Sequence, residues 1–232
     1  MELKNAKILI TGGSSGIGKA TASLLAETGA KVAITGRDPG KLNKAADEMG
    51  AIAIDLDQSR YDDIPEKLQT AVSELGGLDV LVNNAGVGVF PSMGELTAEK
   101  FEQVFSVNVF GLALLTQEAV KIFKEQNSGN IVNIASTAAT KGFPTGSIYG
   151  ASKFALRGMT LCWQTELRKH NIRVMLINPS EVPTAFARED RAERPVTDGK
   201  LTSVEIAHAI KSALEMDNRG FIPELSVWAT NP

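Results

Sequence analysis

Cysteine is almost missing from this chain: Cys162 is the single one among 232 residues. One cysteine cannot close an internal disulfide, so a disulfide-stapled secreted scaffold is excluded and a reducing compartment is expected. Histidine is nearly as scarce. His170 and His208 stand far apart, with no ligand-spaced partner, so no metal site is expected. Aromatic residues make up 6% of the chain and prolines number 9. No apolar run reaches the roughly 18 residues a membrane span needs. The opening Met1-Glu2-Leu3-Lys4 leads into an apolar strand rather than a secretory core, so a cytoplasmic location is expected. Net charge is −3, which leaves no basic excess for nucleic acid. Glycine is the residue in slight surplus, with 21 copies. A hydrophobic fraction of 43% and a charged fraction of 22% suit one large soluble domain spanning residues 1–232.

Six short apolar runs punctuate the chain: Lys7–Thr11, Lys31–Thr35, Ala51–Asp55, Asp79–Val82, Asn130–Ala135 and Arg173–Asn178. They hardly alternate, as strands buried on both faces do. Helical patterns separate them at Gly16–Thr28, Pro39–Met49, Ile64–Glu74, Thr97–Gln126 and Ser147–His170, and a last one covers Ser203–Met216. The repeated β-α-β order predicts a doubly wound Rossmann-type α/β domain, a parallel sheet of about seven strands with helices on both faces. The least regular stretch, Pro179–Leu201, has Arg188–Arg194 as its charged centre. It is either a solvated connection or a substrate loop following a strand's carboxyl end. Cys162, between Leu161 and Trp163, is expected in the core. Phe101, Val104, Phe105 and Leu112 form an apolar helical stripe read as mostly core.

The first strand runs directly into Thr11-Gly12-Gly13-Ser14-Ser15-Gly16-Ile17-Gly18, which opens a helix. Glycines allow a tight turn and close approach of a phosphate, and a helix start offers N–H groups and a positive dipole end. The second strand ends Thr35-Gly36-Arg37-Asp38. Its first charged side chain is a guanidinium, suited to a 2′-phosphate, so NADP(H) is expected over NAD(H). Asp38 either pairs with Arg37 or starts the next helix.

Asn83-Asn84-Ala85-Gly86 follows the fourth strand, and Asn108 lies within a helical pattern. Ser136 follows the fifth strand, and Tyr149 precedes Lys153 by one helical turn. Together with the glycine turn, these motifs resemble the short-chain dehydrogenase/reductase family from the first strand to about Thr184. The resemblance implies hydride transfer between NAD(P) and a carbonyl or secondary alcohol. A ketone, an aldehyde or a 3-oxoacyl group would serve as the small-molecule substrate. The alternatives are an NAD-dependent alcohol dehydrogenase or a cofactor-sensing regulator without turnover.

A free tyrosine titrates near ~10, and moving it to ~7 takes roughly 4 kcal/mol. Lys153 and an oxidised nicotinamide are the two cations expected to supply it. Ser136 would polarise the carbonyl. The resemblance gives Asn108 a water linking Lys153 to solvent. It further implies cofactor contacts by Gly12, Ser14, Ser15, Gly16, Ile17 and Gly18, by Asp55 and Leu56 at adenine, and by Asn83, Ala85 and Gly86. Tyr149, Lys153, Pro179, Val182 and Thr184 complete that set at the nicotinamide end. Pro179-Ser180-Glu181 departs from the family's Pro-Gly at this place. The tail Glu224–Pro232 is either an oligomer contact or packing, and a homodimer or homotetramer is expected by resemblance.

Overall fold

The computed structural model describes residues 1–184, 186 and 199–230. Seven parallel strands form one sheet in the order β3-β2-β1-β4-β5-β6-β7. They are β1 Lys7–Ile10, β2 Lys31–Gly36, β3 Ile52–Asp55, β4 Val80–Asn83, β5 Gly129–Ile134, β6 Ile172–Pro179 and β7 Glu224–Val227. Strand order reverses between β1 and β4, and ligands bind at the carboxyl ends beside such a reversal. In register, Ile8 faces Val32 of β2 on one side and Val80 of β4 on the other.

The continuous apolar runs have a simple cause: both faces of the sheet are covered. Ile8 and Ile10 pack with Leu25 of α1 (Gly16–Glu27), Leu42 of α2 (Pro39–Met49) and Ile206 of α7 (Ser203–Glu215). Leu9, one residue over, points to the opposite face. There it meets Leu68 of α3 (Ile64–Leu75) and Leu115 of α5 (Leu112–Glu125), with Leu167 of α6 (Ser147–Leu167) in the same cluster. Side-chain alternation along a strand makes both layers from one four-residue segment.

Helix ends follow local chemistry. The Asp38 carboxylate accepts from Lys41 N at 3.0 Å, and Pro39 follows at the first helical turn. Asp38 therefore starts α2 rather than serving only Arg37. Thr202 and Glu205 form a reciprocal cap on α7.

Three expectations change. The pattern read as one helix over Thr97–Gln126 is α4 (Ala98–Phe105) and α5, joined by a π-helical segment, Ser106–Gly111. Gly111 packs on the Gln58 backbone, where a Cβ would lie 1.9 Å from the carbonyl oxygen, and the Gln58 amide donates to Val107 O at 3.1 Å. That partner holds a carbonyl in the altered ladder. Cys162 is exposed, because α6 turns Leu156, Thr160, Gln164 and Leu167 inward and leaves residue 162 on the far side. Val104 and Leu112 are buried, but Phe101 and Phe105 are only half-buried.

The tail contributes β7, paired in register with β6 from Leu176↔Glu224 to Pro179↔Val227. Glu224 fixes it by accepting from Arg157 Nε at 3.0 Å and Asn178 Nδ2 at 2.7 Å. The charged stretch Arg188–Arg194 lies outside the described residues.

Candidate active site

A cleft of about 990 Å³ opens at the carboxyl ends of the strands, over the reversal between β1 and β4. Its floor is the glycine turn. Gly12 takes φ +65°, and a Cβ there would stand 2.9 Å from Ala85 Cα, so both conformation and space call for glycine. Gly18 answers to packing alone: a Cβ would lie 2.3 Å from Gly12 O. Thr11 ties this turn to the loop after β4, its hydroxyl accepting from Asn84 N at 3.0 Å and Ala85 N at 2.9 Å. The Asn84 amide returns two bonds, to Thr11 O at 2.9 Å and Gly12 O at 3.1 Å.

The residues fit a dinucleotide. Ser15 precedes α1 in an extended conformation, makes no side-chain cap, and no acidic residue follows in the first turn. Side-chain caps begin α2, α4 and α7 but not α3, α5 or α6, so the bare start of α1 counts through the glycine turn before it, which lines the cleft. An anion is the natural complement of such a start. Arg37 and Lys41 line the cleft beyond β2.

At the other end, the Lys153 ammonium is buried and donates to Ile134 O at 2.9 Å. Burial lowers its pKa to about 8. Its Nζ stands 5.7 Å from the Tyr149 ring centre. Burial pushes the Tyr149 phenol up to about 12, opposed by a hydrogen bond with Ser136. The protein's own residues thus keep Tyr149 protonated; the lowering expected from sequence takes the oxidised nicotinamide as its second cation. Ser136 Oγ accepts from Ala138 N at 3.1 Å, which leaves its proton to face Tyr149 or a substrate oxygen.

Asn108 is buried below. Its Oδ1 accepts from Val87 N at 2.9 Å, and its Nδ2 donates to Val87 O at 2.9 Å and Ser152 Oγ at 3.1 Å.

Of the residues singled out from sequence, Gly12, Ser14, Ser15, Gly16, Ile17, Arg37, Leu56, Ala85 and Gly86 line the cleft. So do Ser136, Tyr149, Lys153, Pro179, Val182 and Thr184. Four do not. Gly18 lies under the turn, Asn108 is as described, and Asp55 is exposed at the end of β3 while Asp57 and Gln58 line the wall. Asn83 points into the core, donating to Thr116 Oγ1 at 2.8 Å and Asn133 Oδ1 at 2.9 Å. Sequence reasoning missed Lys41, Asn84 and Phe90, while Phe143 and Phe186 come from the two stretches, Lys141–Ser147 and Thr184–Leu201, that the sequence places at the substrate pocket. Asn84 was within reach as the second asparagine of its motif. Phe90, isolated in its loop, carries no such signal.

Among the described residues, no group of three or more histidine, cysteine or acidic side chains gathers as metal ligands would. None of the described helices is long and apolar enough to cross a membrane.

Fold and site define a Rossmann-type α/β protein with a hydroxyl, a phenol and an ammonium grouped at one end of its cleft. The model of the short chain dehydrogenase family matches residues 6–195. An uncharacterised oxidoreductase of Staphylococcus aureus is 31% identical over 222 residues, 94% of this chain and 95% of that protein. Two solved structures are similar along almost the whole length. One is an alcohol dehydrogenase from the archaeon Thermococcus sibiricus complexed with 5-hydroxy-NADP: TM-score 0.88, 28% identity, 96% of each chain. The other is a 3-ketoacyl-(acyl-carrier-protein) reductase from Brucella melitensis complexed with NADH: TM-score 0.88, 30% identity, 98% of each chain. The chain belongs to the short-chain dehydrogenase family and is an oxidoreductase acting on CH–OH or C=O groups with NAD(P).

Proposed function

We propose that this enzyme is an NADP(H)-dependent carbonyl reductase, working in reverse as a secondary-alcohol dehydrogenase. The observation that carries this reading is the cleft itself, with Arg37 and Lys41 at one end and Ser136, Tyr149 and Lys153 at the other. Gly12, Ser14, Ser15, Gly16 and Ile17 would hold the pyrophosphate at the start of α1, aided by its dipole. Arg37 and Lys41 would take the 2′-phosphate, where a guanidinium gives bidentate contact. Leu56, with Asp55 and Asn83 behind it, would border the adenosine half. Ala85, Gly86, Pro179, Val182 and Thr184 would border the nicotinamide half.

The nicotinamide supplies or accepts hydride when bound. Ser136 donates a hydrogen bond to the substrate carbonyl oxygen, polarising it. Tyr149 donates its phenolic proton to the same oxygen as charge develops there. Burial keeps the phenol protonated, as a donor in the direction of reduction must be, but makes it a weaker acid, so a neighbouring positive charge is needed as the proton leaves. Lys153, charged below about 8, favours the phenolate left behind. Asn108 fixes Val87 and Ser152 beneath this group and offers its backbone to a water that returns the proton.

Phe110, Leu114, Phe154 and Leu161 are exposed along the outer side of α5 and α6 and the segment before them, at 53%, 36%, 46% and 46%. Such a cluster supports a second copy docking there, as a homodimer or part of a tetramer. The reading is tested by following cofactor oxidation with ketones, aldehydes and acyl thioesters, using NADPH and NADH. Turnover with NADPH favoured at least tenfold is expected. Absence of turnover despite tight cofactor binding would overturn it.

A further inference from the structure

We propose that the substrate half of the cleft is an aromatic box built for an aryl ketone or the corresponding aryl carbinol. The proposal rests on the reading of Tyr149 as proton donor and adds the substrate class. Phenylalanine occurs nine times in 232 residues; two of the nine pack on this one tyrosine and a third packs on one of those two. The Phe90 and Phe186 ring centres each lie 5.3 Å from that of Tyr149, with planes inclined at 56° and 59°. Phe143 continues the wall, 6.1 Å from Phe90 and inclined at 49°.

These rings come from three separate parts of the chain: the loop after β4, the loop before α6, and the segment following β6. Their seats are also made to measure. A Cβ on Gly88 would lie 2.8 Å from both Phe186 and Phe90, and one on Gly146 would lie 2.6 Å from Phe143. Any larger residue at either place would push a ring out of line. Phe90 and Phe143 remain 37% and 40% exposed at the cleft, an apolar surface that a ligand would remove from water. Lys141, which also lines the cleft, lies 4.7 Å above the Trp228 ring.

Tilted rings at these spacings favour an aromatic guest beyond the area buried, since edge and face carry opposite partial charge. An aliphatic ring of the same size gains the area contribution alone. In the proposed reduction the carbonyl carbon gains a hydride from NADPH, which becomes NADP⁺. The carbonyl oxygen gains the Tyr149 proton, which solvent restores, and the product is the aryl carbinol.

The test compares acetophenone with cyclohexyl methyl ketone. Turnover is followed with NADPH, and binding by ligand-observed NMR on the NADP⁺-loaded protein, where no reduction occurs. Acetophenone is expected to be favoured roughly tenfold in kcat/KM, about 1.4 kcal/mol, and to bind more tightly by a similar factor. In Phe90→Leu, Phe143→Leu and Gly88→Ala proteins the ratio should fall to about threefold or less. Equal use of the two ketones, or a ratio unmoved by all three substitutions, overturns the box and leaves the reductase reading standing. Absence of turnover on both ketones and on every other carbonyl overturns that reading too, and this proposal with it.

Discussion

The two halves of the cleft are made of different materials. The half proposed for the cofactor is backbone, glycine and a few polar anchors: Gly12, Gly16 and Gly18 leave room, while Thr11 and Asn84 lace β1 to the loop after β4. At Gly12 and Gly18 an added Cβ meets main-chain atoms, Ala85 Cα at 2.9 Å and Gly12 O at 2.3 Å, which cannot swing aside as a side chain would. The half proposed for the substrate is side chain, with Phe90 and Phe186 against Tyr149, Phe143 against Phe90, and ring tips partly in solvent. It can be reshaped by substitution without disturbing the sheet. One fold therefore keeps its cofactor chemistry while the partner of that chemistry changes.

That contrast can be broken first where hydride and proton meet. Lys153→Met should lower kcat by about 10²–10⁴-fold, the usual contribution of a group serving proton transfer, as measured by steady-state kinetics. In the unaltered enzyme the reduction rate should fall as pH rises through about 8, where Lys153 loses its charge. The stability effect has the opposite sign. A lysine lowered from 10.5 to about 8 binds fewer protons folded than unfolded between those values, so stability rises with pH across that window. Denaturant titrations at pH 8 and 10 should show this rise in the unaltered protein and lose it in Lys153→Met.

On the cofactor side, Gly18→Ala should cost about 1–3 kcal/mol in stability and weaken NADPH binding, because its methyl meets the Gly12 carbonyl. Paired chemical unfolding and cofactor titration would measure both. Arg37→Ser should reduce the NADPH-over-NADH preference roughly 10- to 100-fold, the value of a charge-assisted contact, read as a ratio of kcat/KM. The smallest effect belongs far from either half. Cys162→Ser, on the exposed side of α6, should change stability by within about 0.5 kcal/mol and leave the ketone preference alone.

The same division governs what could be read from residues alone. Strands buried on both faces show as unbroken apolar runs, so β1 to β6 were visible within a residue or two of their ends. The glycine turn, Ser136, Tyr149 and Lys153 lie close to strand ends or one helical turn apart, and local spacing exposes them. Asn83 illustrates the limit. Its motif marks a cofactor loop, yet its side chain faces Thr116 and Asn133, since β4 alternates and the next residue, Asn84, takes the outward place. β7 was hidden because Glu224–Val227 is short, half-exposed and held partly by the Arg157–Glu224 pair rather than by a run of branched residues. The meeting of the three phenylalanines was hidden for a different reason. They are about 50 and 40 residues apart in sequence, and only the folded sheet brings them together.

The most direct test of the central claim, that Tyr149 gives the proton at the boundary of the two halves, is one pair of measurements on Tyr149→Phe. Turnover with NADPH and a ketone should fall by about 10³-fold or more, while the NADPH dissociation constant stays within about twofold of the unaltered protein. Turnover retained within a factor of ten, with cofactor binding intact, would contradict the assignment.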